Sequence, residues 1–114
     1  MKLFLILSIT LLSFFVQQEK PKMKGTYKVV FDKGQQSFQI TFNDSIYIKK
    51  MPDAIQYKSK IKYEKFIITL RNNSDEDPIE IDNREINKDT ILFSTKSRRD
   101  LSLTINRGKM IKIK

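Results

Sequence analysis

The 114-residue chain has no cysteine, no histidine and no tryptophan, and only three glycines and three prolines. Without cysteine there is no disulfide framework, no thiol nucleophile, no thiolate zinc site and no lipid-modified N-terminus. Without histidine the commonest general base at neutral pH is missing too. No Gly-x-Ser-x-Gly occurs, and no Ser-x-x-Lys stands on a turn that could present a nucleophile. We therefore expect a non-catalytic protein with no cofactor and no metal site. Long apolar runs are also scarce. The longest, Leu3 to Val16, is 14 residues, short of the about 20 that a helix needs to cross a bilayer. It follows Met1-Lys2 and gives way to polar Gln17-Gln18-Glu19-Lys20-Pro21, the order of a signal-peptide helix. We expect residues 1–16 to be a signal peptide, residues 17–24 a disordered leader, and the product to be exported to the periplasm or beyond the cell, with no stable transmembrane span.

What the chain has is alternation with a period of two. Tyr27, Val29 and Phe31 alternate with polar or smaller residues, then Phe38, Ile40 and Phe42, then Ile46 and Ile48, which leaves Tyr47 as an exposed aromatic. The longest alternation sets Ile55, Tyr57, Ser59, Ile61 and Tyr63 against Gln56, Lys58, Lys60, Lys62 and Glu64, and Phe66, Ile68 and Leu70 follow a tight turn. Ile79, Ile81 and Ile86 mark two short strands. At the end Ile91 and Phe93, then Leu101, Leu103 and Ile105, then Ile111 and Ile113 read as inward rows, with a glycine-bearing reversal at Asn106-Arg107-Gly108-Lys109. Turns this short make successive strands antiparallel neighbours. The expected fold is all-β, over residues 25–114 as a single domain: an up-and-down meander of eight to ten short strands, closed as a small barrel or folded over as a sandwich.

Gly25-Thr26-Tyr27, directly after the leader, resembles the opening Gly-x-Trp of the lipocalin-like secreted β-barrel proteins, with tyrosine in the tryptophan position. Length, leader and the run of hairpins fit the same outline. The resemblance implies an antiparallel barrel and, as an alternative function, a carrier of a small apolar ligand. The inward rows are rich in aromatics, among them Phe31, Phe38, Phe42, Phe66 and Phe93, which would crowd such an interior.

Lysine and arginine together number 22 against 13 acidic residues, a net charge of +9. Solubility and compositional bias account for such an excess more readily than an anionic partner does. The densest cations, Lys58, Lys60 and Lys62, stand two apart and so share one face of a strand, a candidate anion-binding row for an anionic glycan or lipid head group. Nucleic acid is not expected, because the aromatics fall on the inward rows rather than among the cations. Asn73, Asp75 and Asp77 have the spacing of calcium ligands, but Pro78 and Arg84 stand where an EF-hand needs glycine and glutamate, so a solvated loop is expected. Asp44-Ser45-Ile46 and Asp89-Thr90-Ile91 resemble the acceptor signature of bacterial O-glycosylation, making Ser45 and Thr90 possible modification sites. The leading expectation is a small exported binding or envelope-associated module with a basic surface.

Overall fold

The computed structural model describes residues 21–114; the expected signal peptide and the first four residues of the leader lie outside them. Eight strands among the described residues form a closed antiparallel barrel in sequence order: β1 (Lys24–Phe31), β2 (Phe38–Asn43), β3 (Ile46–Lys50), β4 (Gln56–Tyr63), β5 (Ile67–Leu70), β6 (Ile79–Asp82), β7 (Thr90–Lys96) and β8 (Thr104–Lys112). Each strand bonds to the next, and β8 closes on β1 with Gly108 opposite Phe31 and Met110 opposite Val29. The meander is thus a barrel and not a sandwich. Closure leaves no strand at the edge of the sheet, and a barrel of eight strands has an interior that side chains can just fill.

The filling comes from alternate residues. Tyr27 and Val29, Phe38, Ile40 and Phe42, Ile68 and Leu70, Ile79 and Ile81, and Ile91 and Phe93 are all buried, as the alternation predicts. Phe31 lies against Phe93 edge-on with centroids 5.4 Å apart, and Tyr27 meets Phe42 in the same manner at 5.7 Å. Such edge-to-face pairs add to the area they bury.

Several details differ from the sequence expectations. Tyr47 is buried, and Ile46 and Ile48 are only half-buried on the outer side. The turn decides this. Asp44-Ser45 is a two-residue connection, with Asp44 at φ 56°, which places Asn43 opposite Ile46 and therefore Phe42 opposite Tyr47. Residues opposite each other share a face, so Tyr47 follows Phe42 inward. Ile55, Tyr57 and Phe66, read as inward, lie at strand ends and turns and are exposed. Ile86 belongs to no strand, because Asn83–Glu85 forms a single 3-10 turn capped by the Asp82 side chain on Arg84 N–H.

The largest difference is in β8, a single strand with no reversal at Gly108. Its inward residues are Asn106, Gly108 and Met110, and Leu101, Leu103, Ile105, Ile111 and Ile113 are exposed. Gly108 lies opposite Phe93 on one side and Phe31 on the other. The two rings meet across it, which only a position without a side chain permits. The glycine is there for close approach and not for a positive φ.

The near end of the expected leader is also more tied down than a free tail. Met23 is fully buried, its N–H donates to Tyr63 Oη at 2.9 Å, and the Tyr63 hydroxyl donates to Asp44 O. Asn87 holds both sides of Met23, accepting from Lys24 N–H at 3.2 Å and donating to Lys22 O at 3.1 Å. Met23 thereby plugs the end of the barrel where Tyr27 donates its hydroxyl to Lys88 O.

Candidate anion-binding face

The alternation that buries Ile61 sends Lys58, Lys60 and Lys62 to the outer wall, and all three are exposed. At a spacing of about 6.6 to 6.8 Å between residues two apart, they form a row about 13 Å long. Across the strand ladder Lys58 faces Ile48, Lys60 faces Ile46 and Lys62 faces Thr69. None of these neighbours is acidic. Among the described residues Lys58 and Lys60 make no ion pair, and Lys62 meets Glu64 at 3.1 Å in a solvated pair of the kind that adds little.

Folding adds what the spacing did not show. A groove of about 270 Å³ runs beside the row, with Lys60, Lys62 and Arg71 as its cations, and Ile67, Thr69 and Pro78 beneath them. Glu64 and Glu80 also reach it, so the groove itself carries an excess of one positive charge, to which adjoining Lys58 adds. The far wall is Leu101, from the loop between β7 and β8.

Arg71 is fixed by the acidic loop that follows it. Its Nε donates to Asn73 O and Glu76 O, each at 3.1 Å, and its Nη2 to Ser74 O at 2.9 Å. The loop that has the spacing of a calcium site therefore wraps its carbonyls around a guanidinium of the same chain. Carbonyls are neutral, so the cation's charge survives. Asp77 is turned to another use, accepting from Arg98 N–H at 2.8 Å and so tying this loop to the β7–β8 loop. Among the described residues no group of three acidic, histidine or cysteine side chains is gathered to hold a metal.

A second concavity, of about 340 Å³, opens at the barrel end opposite Met23, over Phe31, Phe38, Met51, Ile79 and Thr95. Lys49 enters it from β3, inward because it pairs with buried Ile40. Its ammonium sits 3.2 Å from Glu76 Oε1 and 4.6 Å from the centre of the Phe38 ring. Burial, and then the nearby Glu76 carboxylate, push the Tyr47 hydroxyl up to about 12. Lys49, Glu76 and Arg71 gave no sign in the sequence, since each takes its place from register or from a loop. Ser45 and Thr90, the possible modification sites, are exposed at the start of strands on the outer wall.

These features define a small, side-chain-filled antiparallel β-barrel with a cationic groove on its outer wall. Comparison with family models, curated proteins and solved structures finds no match.

Proposed function

We propose that the protein is an exported, non-catalytic binding module that holds anionic ligands on the outer wall of β4 and β5. The observation that carries this is the row Lys58, Lys60, Lys62, free of acidic cross-strand neighbours, with Arg71 joining Lys60 and Lys62 in the adjoining groove. Adjacent like charges repel, mildly in water, and a polyanion along the row relieves that repulsion. Binding to a soluble sulfated polysaccharide is expected at low salt, fading as the Debye length shrinks to about 8 Å near 0.15 M. Replacing all three lysines with glutamine should weaken it about tenfold, each exposed contact being worth up to about 1 kcal/mol. Lys28, Lys109 and Lys112 supply the control, since β1 and β8 lie across the barrel. Equal losses from the two triple variants would reduce the effect to net charge and end the proposal.

The alternative, a carrier of a small apolar ligand, has less support. The barrel interior is occupied by its own side chains, which leaves such a ligand hollows at the surface, a mostly apolar one of about 470 Å³ beside Tyr63 and Ile86 and the one at the open end; the latter also holds an ion pair. There it would have to cover the Lys49–Glu76 pair, and removing an ion pair from water is costly. Export rests on the order of residues 1–17, and the intact mass of the protein from its native host tests it: residues 1–16 should be missing, and a cytoplasmic chain that keeps Met1 counts against it.

A further inference from the structure

The groove beside the lysine row is not purely ionic, because one wall of it is a leucine. Leu101 and its loop neighbour Leu103 are 54% and 55% exposed. Their exposure is built in. Within the loop from Ser97 to Leu103, Ser97 N–H donates to Leu103 O at 2.9 Å and Leu103 N–H to Asp100 O at 3.0 Å. The Asp100 carboxylate accepts from both Ser102 N–H at 3.0 Å and Ser102 Oγ at 2.6 Å. Arg98 fastens the loop to the acidic loop through Asp77 and through its Nη1 to Asp75 O. A single exposed leucine is ordinary; two held out on one closed loop, with Lys96, Arg98 and Arg99 close by in the chain and Leu101 on the wall of the cation-lined groove, form an amphipathic surface.

A soluble polyanion satisfies only half of that surface. It meets the cations and leaves the leucines in water. An anionic bilayer satisfies both, with phosphates at the depth of the ammonium and guanidinium groups and acyl chains just below. We propose that this face docks on the surface of an anionic phospholipid bilayer, with Leu101 and Leu103 entering the acyl boundary and Lys60, Lys62 and Arg71 meeting head-group phosphates. The inference rests on the anion-binding role of the same face and names the ligand: a bilayer and not a glycan.

The absence of tryptophan makes a clean reporter possible, because Leu103→Trp places a single indole in the chain. With vesicles of mixed phosphatidylcholine and phosphatidylglycerol, the emission of L103W should shift to the blue and be quenched by brominated acyl chains. Phosphatidylcholine vesicles alone and the sulfated polysaccharide should produce neither change. In vesicle sedimentation, the double variant Leu101→Ser with Leu103→Ser should bind the mixed vesicles about tenfold more weakly than the parent chain, while Leu103→Ser alone, which leaves the groove wall intact, should keep the parent's affinity for the polysaccharide. All the chains compared carry the same residues 3–16, so any membrane affinity of that segment is common to them, and the indole reports on the loop alone. If L103W does not respond to the mixed vesicles, or the double serine variant binds them as the parent does, bilayer docking through this loop is wrong. Should polysaccharide binding persist in that case, the anion-binding role survives. If the parent binds neither probe, both ideas fall together.

Discussion

Gly108→Ala is expected to lower the melting temperature by roughly 12 °C or more, corresponding to a loss of about 3 kcal/mol or more. A Cβ at position 108 would lie 2.3 Å from Val30 O and 2.6 Å from Phe93 Cζ. The ring could turn aside, at the expense of its contact with Phe31. The carbonyl cannot, because it belongs to β1 at the seam where β8 closes the barrel. Relief would mean opening that seam. Adding Phe93→Leu should therefore recover little, since it removes the flexible obstacle and leaves the fixed one. If Gly108 stood in a solvent-facing turn, as its sequence context suggests, the same substitution would be mild. Thermal unfolding of the two variants distinguishes these cases, and a shift of only a degree or two for Gly108→Ala would show that β8 does not pack as described.

Phe38→Ala should cost about 3 to 5 kcal/mol, the range for emptying a buried aromatic site. The Phe38 ring is 7% exposed, lies 5.8 Å from the Phe31 ring and carries the Lys49 ammonium over its face. Truncation removes the volume and also one partner of a half-buried cation. Thr41→Ala, three positions along on the outer wall, gives up only an exposed hydroxyl contact of 3.0 Å with Thr26 and should shift stability by about 0.5 kcal/mol at most. The same contrast can be drawn on β8. Met110 is fully buried and its change to alanine should cost about 2 kcal/mol or more, while Ile105→Ala, on the outer side of the same strand, should cost well under half of that. Denaturant titration of the four single variants checks both faces at once. Alternation by itself would rank Ile105 above Met110, so that pair decides whether packing or pattern governs the last strand.

The β2 face was legible because polar and apolar residues truly alternate there, and β1 and β7 were legible although Val30 and Leu92 stand on the outer side, because their larger inward neighbours, Phe31 and Phe93, keep the period of two. The pattern failed where both faces are apolar or where the inward face is small. In Ile46-Tyr47-Ile48 every residue could be core, and the length of the Asp44-Ser45 turn, not hydropathy, makes the choice. In β8 the isoleucines hold odd positions, yet the even ones, Asn106, Gly108 and Met110, go inside. The strand must register with β7 and β1 together, and the only residue that fits between Phe93 and Phe31 is Gly108. That register turns Ile105, Ile111 and Ile113 outward, against the pattern; Leu101 and Leu103 lie outside the strand, in the loop before it.

The candidate site divides along the same line. The row Lys58, Lys60, Lys62 is a local property, since residues two apart in any strand share a face, and so it could be read directly from the sequence. Its setting is not local. Arg71, Leu101, Glu64 and Glu80 come to one groove only because β4, β5 and β6 are neighbours and the β7–β8 loop is pinned to the acidic loop by Asp77 and Arg98. Composition and alternation thus determined an antiparallel β meander without the usual catalytic groups, because those features depend on residue type and on spacing within one strand. Barrel closure, the burial of Tyr47, the outward leucines and the groove were decided by the tertiary structure, because register is a relation between strands and only the simultaneous fit of both neighbours specifies it.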